Sequence, residues 1–163
     1  MKRGQLLIES MVAISIIVVG LLGLLGLLSR SLSLNRVVSD QFTANYLAAE
    51  GIEVTKNIID ANTIQCLPWN SGLGNGDFQV NYDSKKLEST LRQPLLFDAQ
   101  TGRFGYSSGK PTTFIRVVKI SINPANPEEI QVNSVVNWVT RSGGKFEVNV
   151  EDHFFNWRGN VCS

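Results

Sequence analysis

Histidine occurs once and cysteine twice in the 163-residue chain. That is too little for a catalytic or zinc centre built on these residues. The single His153 stands beside Asp152 and reads as a structural or solvated side chain. No G-x-S-x-G elbow, Walker loop, zinc-ligand spacing or EF-hand pattern occurs. The expectation is therefore no enzyme, no cofactor and no metal. Asp77 and Asp83 are two carboxylates without the loop signature that would hold Ca²⁺. An excess of one charge is also lacking: 15 basic and 14 acidic residues leave a net charge of +1. There is thus no basic patch for nucleic acid and no acidic tail. Internal repeats are absent. Trp69, Trp138 and Trp157 are expected in a core or an interface, where a large amphipathic ring is most useful.

Charge is missing most conspicuously from residues 6 to 28, where Glu9 is the only ionisable group. About 20 apolar residues in a helix rising 1.5 Å per residue cross a hydrocarbon layer of about 30 Å. The run is long enough to span. A carboxylate near one end of such a segment costs a few kcal/mol on insertion scales, so its retention calls for a partner. An ordinary secretory signal has a shorter apolar region followed by a small-residue cleavage site, and neither fits. A plain signal anchor explains the length and the basic start but not Glu9. The positive-inside rule puts Lys2 and Arg3 in the cytoplasm and the chain after Arg30 outside.

The stretch Gly4-Gln5-Leu6-Leu7-Ile8-Glu9 resembles the class III signal of type IV prepilins and pseudopilins. In that family a membrane peptidase cuts after the glycine and methylates the new N-terminus. The resemblance implies cleavage between Gly4 and Gln5, N-methylation of Gln5, and an assembly role for Glu9, four residues past Gln5. The chain departs from the pattern at Gln5, where the family usually carries Phe or another apolar residue. The family's helix-breaking proline near Gly26 is also missing. Gly20, Gly23 and Gly26 either allow close helix contact or let the segment bend.

Helical patterning continues without Gly or Pro from 27 to 50 and fades near Ile59. Val38, Phe42, Tyr46, Ala49, Ile52 and Ile59 fall on one broad face, weakened by Asn45 and Lys56. Leu47, Val54 and Ile58 form a narrower face almost opposite. A helix with two apolar faces needs two partners, one the domain's own sheet and the other a neighbouring helix. Gly51 interrupts the pattern only slightly. The segment 46–53 also resembles the corresponding helix of many minor pilins.

Residues 62–76 read as loop. Phe78, Val80 and Tyr82 alternate as a short strand, and 95–97 with 103–106 flank a small hairpin. Three longer strands follow. Phe114, Val118, Ile120 and Ile122 share a face in the first. Ile130, Val132, Val136 and Trp138 do so in the second, and Phe146, Val148 and Val150 in the third. Ser142-Gly143-Gly144 turns the last pair. Short connections imply an antiparallel meander with one covered face, and the helix is its cover.

The expected class is therefore α+β: a long N-terminal helix, transmembrane in its first half and amphipathic in its second, on an antiparallel sheet, which is the pilin layout. The expected divisions are a leader at 1–4, a membrane half at 5–28, an amphipathic half at 29–60 and an extracytoplasmic β domain at 61–163. An even cysteine count in an oxidising compartment predicts a Cys66–Cys162 disulfide, adding about 4–5 kcal/mol in the chain-entropy model. The resemblance implies a minor pilin, a filament subunit anchored in the cytoplasmic membrane and later displayed at the cell surface. Its partners would be a prepilin peptidase, other pilins or pseudopilins and the membrane. A type II secretion pseudopilin and a membrane-anchored extracytoplasmic binding module are the alternatives.

Overall fold

A computed structural model of the protein describes residues 2–140 and 143–157, with the side chains of 2, 3, 5 and 6 outside that description. One helix, α1 (Lys2–Ile64), is followed by eight strands: β1 (Gly76–Gln79), β2 (Glu88–Ser89), β3 (Leu96–Asp98), β4 (Arg103–Gly105), β5 (Lys110–Pro111), β6 (Ile115–Ile122), β7 (Glu129–Val139) and β8 (Lys145–Phe155). The chain divides into two compact units, Met1–Asp40 and Gln41–Ser163.

The first unit is helix. From Leu7 to Arg36 every side chain is exposed, and no large apolar residue between Leu7 and Leu34 is less than 47% exposed. The helix is continuous through Gly20, Gly23 and Gly26, where a Cβ would meet nothing within 4 Å. It is long and apolar enough to cross a membrane.

The second unit is the α+β domain that the periodicities anticipate: the remainder of α1 lies on an antiparallel sheet. Five strands run in the order β2-β1-β6-β7-β8, and a second sheet runs β4-β3-β5. All pairings are antiparallel. The meander β6-β7-β8 keeps the expected alternation. Ile130, Val132, Ser134, Val136 and Trp138 of β7 are all buried on the helix side. Two apolar clusters fill the interface. One joins Ile52, Val54, Ile58 and Ile59 to Val118, Ile120, Ile130 and Val132. The other joins Ala44, Leu47 and Ala48 to Leu95, Phe114, Val136 and Trp138. Each large aliphatic buried this way contributes about 1.5–3 kcal/mol.

Several boundaries differ from the sequence reading. α1 runs five residues beyond Ile59, to Ile64. Its last turn is held by Thr63, whose Oγ1 donates to the Ile59 carbonyl at 3.1 Å. Asn62 then donates to the Trp69 and Ser71 carbonyls at 3.2 and 2.8 Å, fixing the loop behind it. β1 stops at Gln79 although Val80 is buried, because the Val80 carbonyl accepts a hydrogen bond from Arg116 at 2.6 Å. β2 and β5 have two residues each and no alternation to detect. The predicted hairpin is present as β3–β4. Gly143 has a left-handed φ of 85° at the β7–β8 turn, while Ser142 lies outside the described residues.

Candidate functional site

Gly4 and Glu9 both lie in α1 and are exposed. A Cβ at Gly4 would meet nothing within 4 Å. Gln5 contributes helical backbone, and its side chain lies outside the described residues. Glu9 has no hydrogen-bond or ion-pair partner among the described residues. Neighbouring hydroxyls turn back onto the helix: Ser10 Oγ donates to the Leu7 carbonyl at 2.9 Å and Ser15 Oγ to the Met11 carbonyl at 2.8 Å. This surface is therefore a continuous apolar cylinder with one carboxylate near its start.

Within the second unit the two helix faces have different fates. Leu47, Val54 and Ile58 are buried, whereas Phe42, Tyr46 and Ala49 are exposed. Ile52 and Ile59, placed by pattern on the broad face, turn to the sheet instead. The reason lies in small residues that apolar periodicity undervalues. Ala44, Ala48, Gly51 and Thr55 form the middle of the buried face, and Leu47, Val54, Ile58 on one side and Ile52, Ile59 on the other flank it. Gly51 sits over Ser134 and Val118. A Cβ there would lie 3.1 Å from Ser134 Cβ and 3.2 Å from Val118 Cγ2, and would overlap Ser134 Oγ. Thr55 is fully buried, and its Oγ1 donates to the Gly51 carbonyl at 2.9 Å.

Arg116, a residue the sequence reading passed over, fastens the helix to the sheet. Its side chain is fully buried. Nη1 donates to the Leu47 carbonyl at 2.9 Å and to Glu50 Oε1 at 3.0 Å, and Nη2 donates to the Val80 carbonyl. A buried charge is tolerable only when paired and hydrogen-bonded, and Glu50 supplies the counter-charge. The available signal was period two: Arg116 falls on the face shared by Phe114, Val118 and Ile120, where a cation must find a partner.

On the opposite face of the sheet, His153 is held between two carboxylates. Nδ1 lies 2.6 Å from Glu129 Oε1 and Nε2 lies 3.1 Å from Glu151 Oε1. Both nitrogens donate only in the imidazolium, so hydrogen bonding to Glu129, then to Glu151, raises the His153 pKa above its ordinary 6.5. Asn133 and His153 donate to Glu151 and hold its carboxyl below the usual range. Asp77 and Asp83 do not act together: Asp77 pairs with Arg92, and Asp83 lines a groove. No cluster of three potential metal ligands occurs among the described residues.

Of the three tryptophans, Trp138 is buried, Trp69 packs against the core and Trp157 is exposed. Cys66 follows α1 with a φ of 59° and is disulfide-bonded. Cys162, its expected partner, lies outside the described residues. Two open grooves mark the domain. One of about 600 Å³ lies at the β1–β2 loop, and one of about 410 Å³ is floored by Ile115, Val117 and Val135. Compared with known proteins, the chain matches no family model, no curated protein and no solved structure.

Proposed function

We propose that this chain is a minor pilin, a structural subunit processed by a prepilin peptidase and assembled through its N-terminal helix. The observation that carries the reading is the wholly unburied apolar helix beginning with a lone carboxylate, Glu9. Nothing in the chain covers that surface among the described residues, and a hydrocarbon layer or a bundle of like helices would. Cleavage after Gly4 would leave a free amine at Gln5. In low dielectric an ammonium and a carboxylate attract strongly, while each alone is costly. Glu9 of an arriving subunit would then meet the amine of a neighbour and set the axial register. The exposed Phe42, Tyr46 and Ala49 offer the same neighbour a second apolar contact. Lys2 and Arg3 would keep the leader in the cytoplasm, with the β domain extracytoplasmic and finally on the cell surface. A type II secretion pseudopilin would use the same groups in another assembly.

The test is Glu9→Ala, compared with the unaltered chain for membrane content, N-terminal mass and yield in sheared filaments. Insertion and cleavage after Gly4 should persist, since removing a charge favours insertion. Incorporation into filaments should fall, because breaking one side of a buried pair costs about 3–5 kcal/mol. Unchanged incorporation would remove the register mechanism. It would favour instead a membrane-anchored binding module, the reading that the grooves of the second unit support.

A further inference from the structure

The groove of about 410 Å³ lies on the sheet face turned away from α1. Its volume is in the range of small-molecule sites. Ile115, Val117 and Lys119 alternate along β6 with Arg116, Val118 and Ile120, which face the helix. The floor is aliphatic: Val117 lies opposite Val135, with Ile115 beside them. Val117 and Val135 are only 4% and 7% exposed. Charge sits at the two ends. Lys119 stands at one corner and Glu147 at the other, four residues along the strands and two strands across. Asp77 of β1 is the register neighbour of Lys119, but it is taken by Arg92. Arg92 is held with a left-handed φ of 50°, a costly conformation of the kind that collects at ligand clamps. Lys119 is thereby left without a counter-charge. The side chains of Lys119, Asn137 and Glu147 are exposed and make no hydrogen bond or ion pair among the described residues.

A ligand for this groove needs an apolar body with an anion at one end and a cation at the other. A polyanion would meet Glu147, and a polycation would meet Lys119 and Arg92. A fatty carboxylate would suit Lys119 but lay an alkyl chain against Glu147, a charge desolvated without a partner. A sugar ring would find no aromatic side chain to stack on. The diagonal from Lys119 to Glu147 is about 16 Å between Cα atoms. An extended tripeptide spans about 10 Å, and the two side chains cover the rest. Asn137, paired in register with Glu147, offers a donor and an acceptor to a peptide backbone. We infer that this groove binds a short apolar peptide with both ends free, its carboxylate at Lys119 and its ammonium at Glu147.

The test titrates trivaline to about 10 mM, the range of weak specific binding, into the full chain in phosphocholine nanodiscs. N-acetyl-trivaline, trivaline amide and the doubly capped peptide are run in parallel. Binding is read from the methyl resonances of Ile115, Val117 and Val135. Trivaline should shift all three saturably. Either cap should weaken binding by about threefold, the worth of one partly exposed charge pair. Lys119→Ala should abolish discrimination against the amide and keep that against the acetyl peptide. Glu147→Gln should do the reverse. Neither residue has a partner to lose, so neither variant should disturb the fold. No saturable shift with trivaline, equal binding of the doubly capped peptide, or a discrimination that survives in its own variant would each overturn the assignment.

Discussion

Substituting alanine for Gly51 tests how closely α1 approaches the sheet. At an exposed helix position Gly→Ala gains about 0.5–1 kcal/mol through backbone entropy. At Gly51 the new methyl would overlap Ser134 Oγ and press on Val118 Cγ2 at 3.2 Å. Ser134 is fully buried in the middle of β7 and cannot swing aside into solvent. Overpacking of this kind costs about 1–3 kcal/mol. The helix gain offsets part of it, leaving Gly51→Ala destabilising by about 1–2 kcal/mol. Ser134→Ala removes the overlapping atom, a buried hydroxyl with no hydrogen-bond partner. The double variant should therefore lose at least about 1 kcal/mol less than the sum of the single changes. The assay is urea unfolding of the full chain in nanodiscs, followed by fluorescence of the buried Trp138. A stabilising Gly51→Ala, or an additive cycle, would refute the close approach.

The remaining predictions concern two of the ion-paired sites, those of Arg116 and His153. Arg116→Ala leaves the Leu47 and Val80 carbonyls without their donor and Glu50 without its counter-charge. It should destabilise the second unit by about 3–5 kcal/mol in the same unfolding assay, and a loss below about 1 kcal/mol would contradict the anchoring role. His153, the only histidine, gives an unambiguous imidazole NMR titration with a midpoint above 6.5. Because its folded pKa is raised above the unfolded value, its stabilising contribution is fully present below the unfolded pKa. That contribution is lost as pH rises through the folded pKa. Glu129→Gln should lower the midpoint, and a midpoint at or below 6.5 in the unaltered chain would rule out the double carboxylate clamp.

The sequence made the meander legible because β6, β7 and β8 are long and half-buried. Period two survives there through Ile130, Val132, Val136 and Trp138. It also revealed that the second half of α1 carries two apolar stripes. What it hid was which stripe meets the sheet, since Ala44, Ala48 and Gly51 carry little apolar weight yet decide where the backbone can approach. Arg116 and Ser134 were hidden for a related reason: polar residues on a buried face look like exceptions to a pattern until their partners are known. β2 and β5 are held by register with neighbours rather than by local preference, and two residues leave no period to detect. At the opposite end of the chain, Glu9 was conspicuous in sequence because it is the single charge in its run.

The Arg116 anchor also has a bearing on the order in which the chain can fold. Its bonds to Leu47 and Glu50 span sequence separations of 69 and 66 residues. The β6–β7 and β7–β8 pairings, by contrast, join consecutive strands across short turns. Closing long loops is entropically slow, and local hairpins form first. A chain made from its N-terminus thus emerges with its helix complete and its helix-binding face absent. The carbonyl of Leu47 waits for a guanidinium that has not yet been synthesised, and Ser134, over which Gly51 must settle, arrives later still. The docking of α1 is consequently a late event, gated by synthesis of the meander, and a chain halted before β6 has a helix with nowhere to lie.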